Sequence, residues 1–224
     1  PGPALTADGV LAVLRAPSGG PPAVDRIVAA SAALVRAGVR CVEVTLNSPG
    51  ALEALRAVRT LVDGVELGAG TVLRPGDVTA AAAAGAQYVV SPHTDPEIGA
   101  RARELGLPWY PGALTPTEVA TAWRLGATAV KLFPASLGGP RYLRELRGPL
   151  PGVALLPTGG VDADTAGEFV RAGACAVGAG GWLLGDALTG RADGTDPLVA
   201  LAERARRLRD AVAAARGADP GHRP

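Results

Sequence analysis

One lysine, Lys131, stands in the apolar run "ATAVKLFPAS", and every other one of the 22 basic residues in this 224-residue chain is an arginine. Arginine can serve at any ordinary surface position, but its guanidinium effectively never loses its proton. A lysine amine can deprotonate at moderate cost and attack a carbonyl carbon. A GC-rich genome would explain why lysine is scarce, but not which position keeps it. Lys131 is therefore a candidate nucleophile.

A carboxylate, Glu43, is placed in a similar way within the run "CVEVTL". Successive residues of a strand alternate between its two faces, so Val42 and Val44 share one face and Glu43 lies on the other. The same alternation puts Lys131 on the face opposite its apolar neighbours. If the apolar faces meet helices, both charged side chains point inward, where they are costly unless paired, hydrogen-bonded or shifted in pKa. Two interpretations remain open: a pair that performs chemistry, and a salt bridge that closes the core.

Two glycine pairs could bind an anion. They lie in "PTGGV" (157–161) and "GAGGW" (178–182), after the last two candidate strands of the chain. Glycines expose backbone N–H groups, and the loops after the seventh and eighth strands of a β/α barrel commonly hold a phosphate. The pairs therefore predict a phosphate site, although tight turns also need glycine.

The elements that must position these residues repeat along the chain. Helical segments end at glycine and lead into short apolar runs, as in "AAAAGAQYVVSP" and "TAWRLGATAVKLF". In "TPTE" at 115–118 a capping box with proline at the first helical position marks a helix start. The pattern predicts strands at 10–14, 41–46, 66–71, 88–91, 108–111, 129–133, 153–157 and 175–179. Eight strands alternating with helices predict an α/β fold, an eight-stranded parallel β/α (TIM) barrel, rather than an open doubly wound sheet.

No linker divides the chain, so we expect a single domain over residues 1–217 followed by a disordered tail at 218–224. The last helix, within "DPLVALAERARRLRDAVAAARG", is strongly amphipathic. Its arginine-rich segment 203–216 is typical of a solvated face, and its Leu and Ala side is expected to pack against the rest of the protein.

Composition argues against several classes of function. The formal net charge is +1 and there is no dense basic run with aromatic residues in it, so no nucleic-acid partner is expected. No secretion signal and no run of roughly 18 apolar residues is present, so we expect no membrane contact and a cytoplasmic location. Cys41 and Cys175 are predicted to be buried thiols, and His93 to be a loop and helix-cap residue. No second His or Cys stands at metal spacing, so no metal and no other cofactor is predicted.

Several motifs, in this order and spacing, resemble the 2-keto-3-deoxy-6-phosphogluconate (KDPG) / 4-hydroxy-2-oxoglutarate (KHG) aldolase family. They are "VEVTL", "GAGTVL", "VVSPHTDPEI", "YPGALTPTE", "VKLFPAS" and "PTGGV", and the likeness runs from about residue 10 to about residue 185. The resemblance implies a class I aldolase of the Entner-Doudoroff pathway, usually a homotrimer, that forms a lysine Schiff base with a phosphorylated 2-keto-3-deoxy sugar acid and releases pyruvate.

The resemblance also implies roles for individual residues. Lys131 would be the Schiff-base lysine and Glu43 the general acid and base. The implied substrate-binding set is Thr71 and Thr158 near the keto-acid end, Pro92 and Phe133 in matched motifs, and Gly159, Gly160, Gly180 and Gly181 in the phosphate loops.

The chain departs from the family pattern at two places. Asn47 in "EVTLNSP" stands where gluconate-type members often have arginine, and "LNSP" and "FPASLGGP" are closer to the 2-keto-3-deoxy-6-phosphogalactonate (KDPGal) aldolases, whereas "PTGGV" favours the gluconate type. Gly181 stands where members often have serine, which leaves one fewer hydroxyl donor for phosphate. Since Asn47 offers only neutral donors, we expect Arg15, at the end of the first strand, to bind the substrate carboxylate with Thr71.

Three alternatives remain at this stage. Arg15 could merely cap the barrel or pair with a neighbouring acid. A phosphosugar isomerase or a thiamine-phosphate-type synthase would share the barrel and the glycine loops without needing the amine. A non-enzymatic barrel that binds phosphorylated metabolites is the third.

Overall fold

The computed structural model describes residues 1–18, 23–189 and 196–217. Its strands are β1 (Val10–Leu14), β2 (Cys41–Thr45), β3 (Glu66–Gly70), β4 (Tyr88–Val90), β5 (Trp109–Tyr110), β6 (Gly112–Ala113), β7 (Val130–Leu132), β8 (Leu155–Pro157) and β9 (Val177–Ala179). Its helices are α1 (Pro3–Asp8), α2 (Val24–Arg36), α3 (Ala51–Leu61), α4 (Pro75–Ala83), α5 (Pro96–Glu104), α6 (Pro116–Arg124), α7 (Gly139–Arg147), α8 (Ala163–Arg171), α9 (Gly181–Leu184) and α10 (Pro197–Gly217). The predicted tail at 218–224 lies outside the described residues.

The strands pair in parallel and form a curled sheet in two parts. One part has six strands in the order β5-β4-β3-β2-β1-β9, and the other has three in the order β6-β7-β8. The parallel α/β architecture is therefore confirmed. The predicted eight-stranded barrel is not confirmed, because the hydrogen-bonded ladder is interrupted at two places. The predicted strand at 108–111 becomes the two short strands β5 and β6 around Pro111, which has no N–H to donate, and only one isolated bridge, from Thr158 to Gly178, joins the end of β8 to β9.

The two faces of the sheet bury different clusters. Val42 and Val44 belong to the large apolar cluster that also contains the buried faces of the surrounding helices. Cys41 belongs to a smaller inner cluster with Tyr88 and Tyr110, whose ring centroids are 5.4 Å apart. Since Cys41 and Glu43 alternate with those valines, the predicted inward direction of Glu43 is confirmed.

Helix starts follow the chemistry of their first residues. The Thr115 side chain accepts from the N–H of Glu118, and the Glu118 carboxylate accepts from the N–H of Thr115, which is the predicted capping box. Asp95 accepts from the N–H groups of Glu97 and Ile98, so the segment with His93 is a loop and helix cap, as predicted. These caps place the strand-to-helix loops at the carboxyl ends of the strands.

One helix that the sequence analysis did not predict, α1, packs at the amino ends of the strands, opposite the strand-to-helix loops. The carboxylate of Glu66, at the start of β3, accepts from the N–H of Ala4 at 2.6 Å and of Leu5 at 3.3 Å in α1. Arg216 of α10 donates to the carbonyls of Thr6 and Ala7 in the same helix. With the amino ends of the strands covered, access to the interior is left to their carboxyl ends.

The arginines of α10 correct one prediction. Arg204, Arg209 and Arg216 each donate to backbone carbonyls of other elements, so the segment 203–216 is only partly a solvated face. A guanidinium has several N–H groups in a fixed plane, which suits it to holding loop carbonyls while its stem packs on apolar surface. No helix among the described residues is long and apolar enough to cross a bilayer.

Candidate active site

Lys131 lies at the centre of β7 and is buried, with 4% of its surface exposed. Its ammonium nitrogen is 5.1 Å from the centre of the Phe133 ring, close enough for a cation–π contact. Both residues line a cavity of about 420 Å³ at the carboxyl ends of the strands. The only amine on a side chain of this protein is thus held inside the molecule and faces a space large enough for a small metabolite.

The cavity brings together most of the residues predicted from the sequence. Those that line it are Arg15, Lys131, Phe133, Thr158, Gly159, Gly160, Gly180 and Gly181. Its wall also includes residues that were not predicted, namely Val13, Val161, Trp182 and Leu184. Trp182 directly follows the second glycine pair, and that adjacency could have identified it.

Glu43 is completely buried, and neither of its carboxylate oxygens has a hydrogen-bond partner. Burial raises the pKa of this carboxyl above its ordinary value, and the positive charges of Lys131 and Arg15 oppose that rise. Among the described residues no ion pair within 4.0 Å joins Glu43 to Lys131, so the structural salt bridge is not formed. Buried polar groups without partners are rare in native proteins, so this carboxylate needs an explanation.

Gly70 makes room for the Glu43 side chain. A Cβ atom at Gly70 would overlap Oε1 and Cδ of Glu43 and would lie 2.5 Å from its Cγ. Gly70 ends β3, the strand that pairs with β2. The glycine is therefore required by the close approach of this carboxylate to the neighbouring backbone.

Arg15 and Thr71, the two residues predicted to bind the substrate carboxylate, contact each other at the carboxyl ends of the strands. Nη2 of Arg15 donates to Oγ1 of Thr71 at 3.4 Å. Thr71 has a φ of 56°, and no other non-glycine residue that the structure describes has a positive φ. A β-branched residue in the left-handed region stores backbone strain, which is typical of ligand-binding positions. No ion pair within 4.0 Å involves Arg15 among the described residues, which argues against the alternative that it pairs with an acid.

Three predicted substrate-binding residues, Asn47, Thr71 and Pro92, do not line the cavity, and neither does Glu43. Asn47 is exposed in the turn after β2. Pro92 is half-buried after β4, and its carbonyl packs against Gly112 so closely that a Cβ there would overlap it. The roles of these residues in substrate binding stay predictions.

The first glycine pair is bound to the loop that follows β7. Ala135 N–H donates to the Thr158 carbonyl at 2.9 Å, and Ser136 N–H donates to the Gly159 carbonyl at 3.0 Å. Gly159 and Gly160 have φ values of 88° and 80°, which only glycine adopts without strain. A Cβ at Gly160 would also lie 2.7 Å from that of Ser136. The loop that continues from the lysine strand and the predicted phosphate loop are therefore one connected unit.

Neither cysteine is suited to nucleophilic catalysis. Both are free, and burial raises the pKa of Cys175 to about 11 and that of Cys41 well above its usual range. The thiolate form that would attack is therefore scarce at neutral pH. Residues 1–18, 23–189 and 196–217 contain no group of three His, Cys, Asp or Glu side chains that could hold a metal.

A buried lysine amine, a buried carboxylate without a partner and a glycine-lined cavity at the ends of parallel strands are the groups that a lysine-dependent carbon–carbon lyase requires. The sequence profile of the KDPG and KHG aldolases matches residues 6–195, which is most of the chain. The chain belongs to this family of aldolases.

Individual relatives agree with the family assignment. A 2-dehydro-3-deoxy-phosphogluconate aldolase of Treponema pallidum is 38% identical over 162 residues, which are 72% of this chain and 77% of the relative. A 2-dehydro-3-deoxy-6-phosphogalactonate aldolase of Escherichia coli K12 is 38% identical over 158 residues, 70% of this chain and 77% of the relative. A crystal structure of the KDPG aldolase of Legionella pneumophila, with pyruvate captured as a covalent carbinolamine, has a TM-score of 0.79 and 26% identity, covering 92% of this chain and 96% of that one.

Proposed function

We propose that this aldolase cleaves 2-keto-3-deoxy-6-phosphogluconate to pyruvate and glyceraldehyde 3-phosphate through a Schiff base on Lys131. The observation that carries the proposal is that the chain's single lysine is buried and lines a cavity, with the carboxylate of Glu43 buried nearby and unpaired. The amine accounts for covalent attack on a ketone, and the carboxylate accounts for proton transfer.

The chemistry follows from these two groups. The Lys131 amine adds to the C2 ketone, and loss of water from the carbinolamine gives an iminium. The C4 hydroxyl loses its proton, the C3–C4 bond breaks, and its electrons move to the iminium nitrogen, which yields an enamine and free glyceraldehyde 3-phosphate. Protonation of the enamine at C3 and hydrolysis release pyruvate and the amine. Burial raises the pKa of Glu43 above its ordinary value, which favours its protonated form, and we assign to this carboxyl the transfer of protons in these steps.

The remaining site residues divide between the two ends of the substrate. Arg15 and Thr71 would bind the carboxylate, since a guanidinium forms strong charge-assisted hydrogen bonds with it. Gly159, Gly160, Gly180 and Gly181 would bind the phosphate through backbone N–H groups. Phe133 and Thr158 would lie along the keto acid between them, and the substrate would approach Asn47 and Pro92 only at the rim.

The galactonate-type substrate is the second candidate, and it differs from the first in configuration at C4. Asn47 favours it, because this exposed residue stands where gluconate-type members often have arginine. In addition, the galactonate-type relative of E. coli and the gluconate-type relative of Treponema pallidum are equally identical to this chain, at 38%. Turnover of the two phosphorylated epimers and of unphosphorylated 4-hydroxy-2-oxoglutarate, measured side by side, decides among the three.

Borohydride reduction in the presence of pyruvate tests the Schiff base. We expect one pyruvate-derived unit on Lys131, located by peptide mass spectrometry, and we expect Lys131→Arg to abolish both labelling and turnover while the protein stays folded. Arg206→Lys placed in the Lys131→Arg background is a matched control, since it restores a lysine on the exposed surface of α10. Labelling of that surface lysine, or of the amino terminus, would refute the mechanism.

We further infer that the two parts of the sheet complete an eight-stranded barrel. Only Pro111 separates β5 from β6, and a single parallel bridge between Thr158 and Gly178 connects the end of β8 to β9. The resemblance to the family also supports a homotrimer, a cytoplasmic location and a role in the Entner-Doudoroff pathway. Light scattering of the purified protein tests the trimer directly.

A further inference from the structure

Arg204 of α10 forms hydrogen bonds with the carboxyl end of the short helix α9. Its Nε donates to the carbonyl of Leu183 at 2.8 Å, and its Nη2 donates to the carbonyl of Leu184 at 2.9 Å. The last carbonyls of a helix have no partner within the helix itself. One planar guanidinium therefore binds two successive carbonyls at the end of α9.

The helix that Arg204 holds forms part of the cavity wall. Gly181, Trp182 and Leu184 of α9 all line the cavity. A helix of one turn is unstable on its own, because nucleation costs more than its few hydrogen bonds return. The position of this wall therefore depends on contacts from outside α9.

The residue after α9 leaves space for the same guanidinium. Gly185 has a φ of 49°, and a Cβ atom built on it would lie 2.7 Å from Nη2 of Arg204. Any other residue at this position would compete with the arginine for space. The absence of a side chain at Gly185 therefore leaves the space that the Arg204 guanidinium occupies.

Arg207, one turn further along α10, reaches the same region. Its guanidinium carbon is 5.9 Å from the centre of the Trp182 ring, and its Nη2 is 3.9 Å from Oδ1 of Asp164. Asp164 lies in the first turn of α8, which follows the pair Gly159 and Gly160. A single turn of α10 therefore contacts the helices that follow both glycine pairs.

We propose that Arg204 is a positioning residue for the phosphate end of the cavity, an inference that rests on the proposed aldolase function. It does not touch the substrate. It holds α9 so that the backbone N–H groups at Gly180 and Gly181 keep the spacing that a phosphate requires. Lys131 and Glu43 lie on β7 and β2, and both hydrogen bonds that Arg204 donates go to α9, so the chemical end of the site does not depend on this contact.

A pair of matched variants tests this role. Arg209 is also on α10 and also donates to a backbone carbonyl, that of Ala37 at 3.0 Å at the end of α2, but α2, unlike α9, contributes no residue to the cavity wall. Arg204→Ala and Arg209→Ala each lose a contact of the same chemistry, so both are expected to lower Tm. Only Arg204→Ala is expected to raise KM for 2-keto-3-deoxy-6-phosphogluconate, by roughly ten- to a hundredfold.

Measurements with the unphosphorylated substrate and with the pyruvate adduct distinguish a positioning role of Arg204 from a general loss of folded structure. For Arg204→Ala we expect an unchanged KM for unphosphorylated 4-hydroxy-2-oxoglutarate, unchanged borohydride trapping of pyruvate, and weaker competitive inhibition by inorganic phosphate. If Arg204→Ala does not fold, Arg204→Lys replaces it, since an ammonium can bond one carbonyl but not both in the same plane, and the same selective rise in KM is expected, to a smaller extent.

Two results would overturn the proposal. One is an equal change in KM for the phosphorylated and the unphosphorylated substrate, and the other is a change of the same size in Arg209→Ala. Failure of the aldolase function itself is distinguishable, because the wild-type protein would then give no pyruvate adduct and cleave neither substrate.

Discussion

Gly70 ends β3 at the place where the Glu43 side chain approaches it, so one added methyl group tests whether the position of that carboxylate matters. In Gly70→Ala the new Cβ would overlap Oε1 and Cδ of Glu43 and lie 2.5 Å from Cγ. Rotation of the carboxylate end alone does not relieve this overlap, because Cγ is also too close. Glu43 is completely buried, so the side chain has no solvent to move into.

The size of the effect follows from these contacts. Forcing extra atoms into a well-packed interior costs about 1 to 3 kcal/mol of stability. Displacing a general acid and base lowers the rate of the steps it serves by about a hundred- to ten-thousandfold. We therefore expect Gly70→Ala to lose modest stability but most of its activity. Its kinetic defect should match that of Glu43→Gln.

The assay is kcat/KM for the aldol cleavage, with Tm measured alongside. The double variant Gly70→Ala/Glu43→Gln should be no slower than the slower single variant, since both changes remove the same function. Gly76→Ala is the matched control: Gly76 is exposed in α4 with nothing within 4 Å of its Cβ position, so activity should be unchanged and the helix slightly stabilised. Wild-type activity in Gly70→Ala would refute the assignment of proton transfer to Glu43 at this position.

Two further predictions concern charge in the site. Because burial raises the pKa of Glu43 above its ordinary 4.5, the folded protein loses stability as pH rises from about 4.5 through the folded-state pKa, while the unfolded chain ionises freely. Glu43→Gln has no carboxylate to ionise and therefore does not lose this stability. The Tm of Glu43→Gln minus the Tm of wild type, measured by calorimetry, should increase as pH rises between the unfolded-state and the folded-state pKa, and then stay level. A difference in Tm that does not change with pH would contradict the raised pKa. Arg15→Ala should weaken pyruvate adduct formation by roughly 1.5 to 3 kcal/mol, about ten- to a hundredfold, whereas the exposed Arg206→Ala should not. Pyruvate affinity unaltered by Arg15→Ala would remove Arg15 from carboxylate recognition.

Much of the site could be predicted because strand alternation is a local property. Glu43 and Lys131 each have apolar neighbours on both sides, so once those neighbours face the helices, the charged residues must face inward. The uniqueness of Lys131 is visible by counting alone, and it indicates chemistry because only an amine can form the Schiff base. The capping box at Thr115 and Glu118 is also local, which is why that helix begins where the pattern predicted.

Other features depend on distances between segments far apart in sequence, and only the tertiary structure decided them. The sequence left open whether Glu43 pairs with Lys131; in the structure the Glu43 carboxylate is buried against Gly70 and neither of its oxygens has a partner. The cavity wall includes Val13 and Leu184, which belong to no recognisable motif and line the cavity only because folding places them there.

The α10 arginines show the same limit. A regular spacing of charged residues on a helix is compatible with a solvated face, and nothing local distinguishes an arginine that meets water from one that reaches a carbonyl of another segment. Arg204 reaches Leu183 and Leu184 because α10 packs beside α9, and Arg216 reaches Thr6 because the end of α10 lies beside α1. The sequence by itself determined the chemical groups and the faces on which they lie. The tertiary structure decided which of them are held, paired or left free, because each such contact joins segments that only folding brings together.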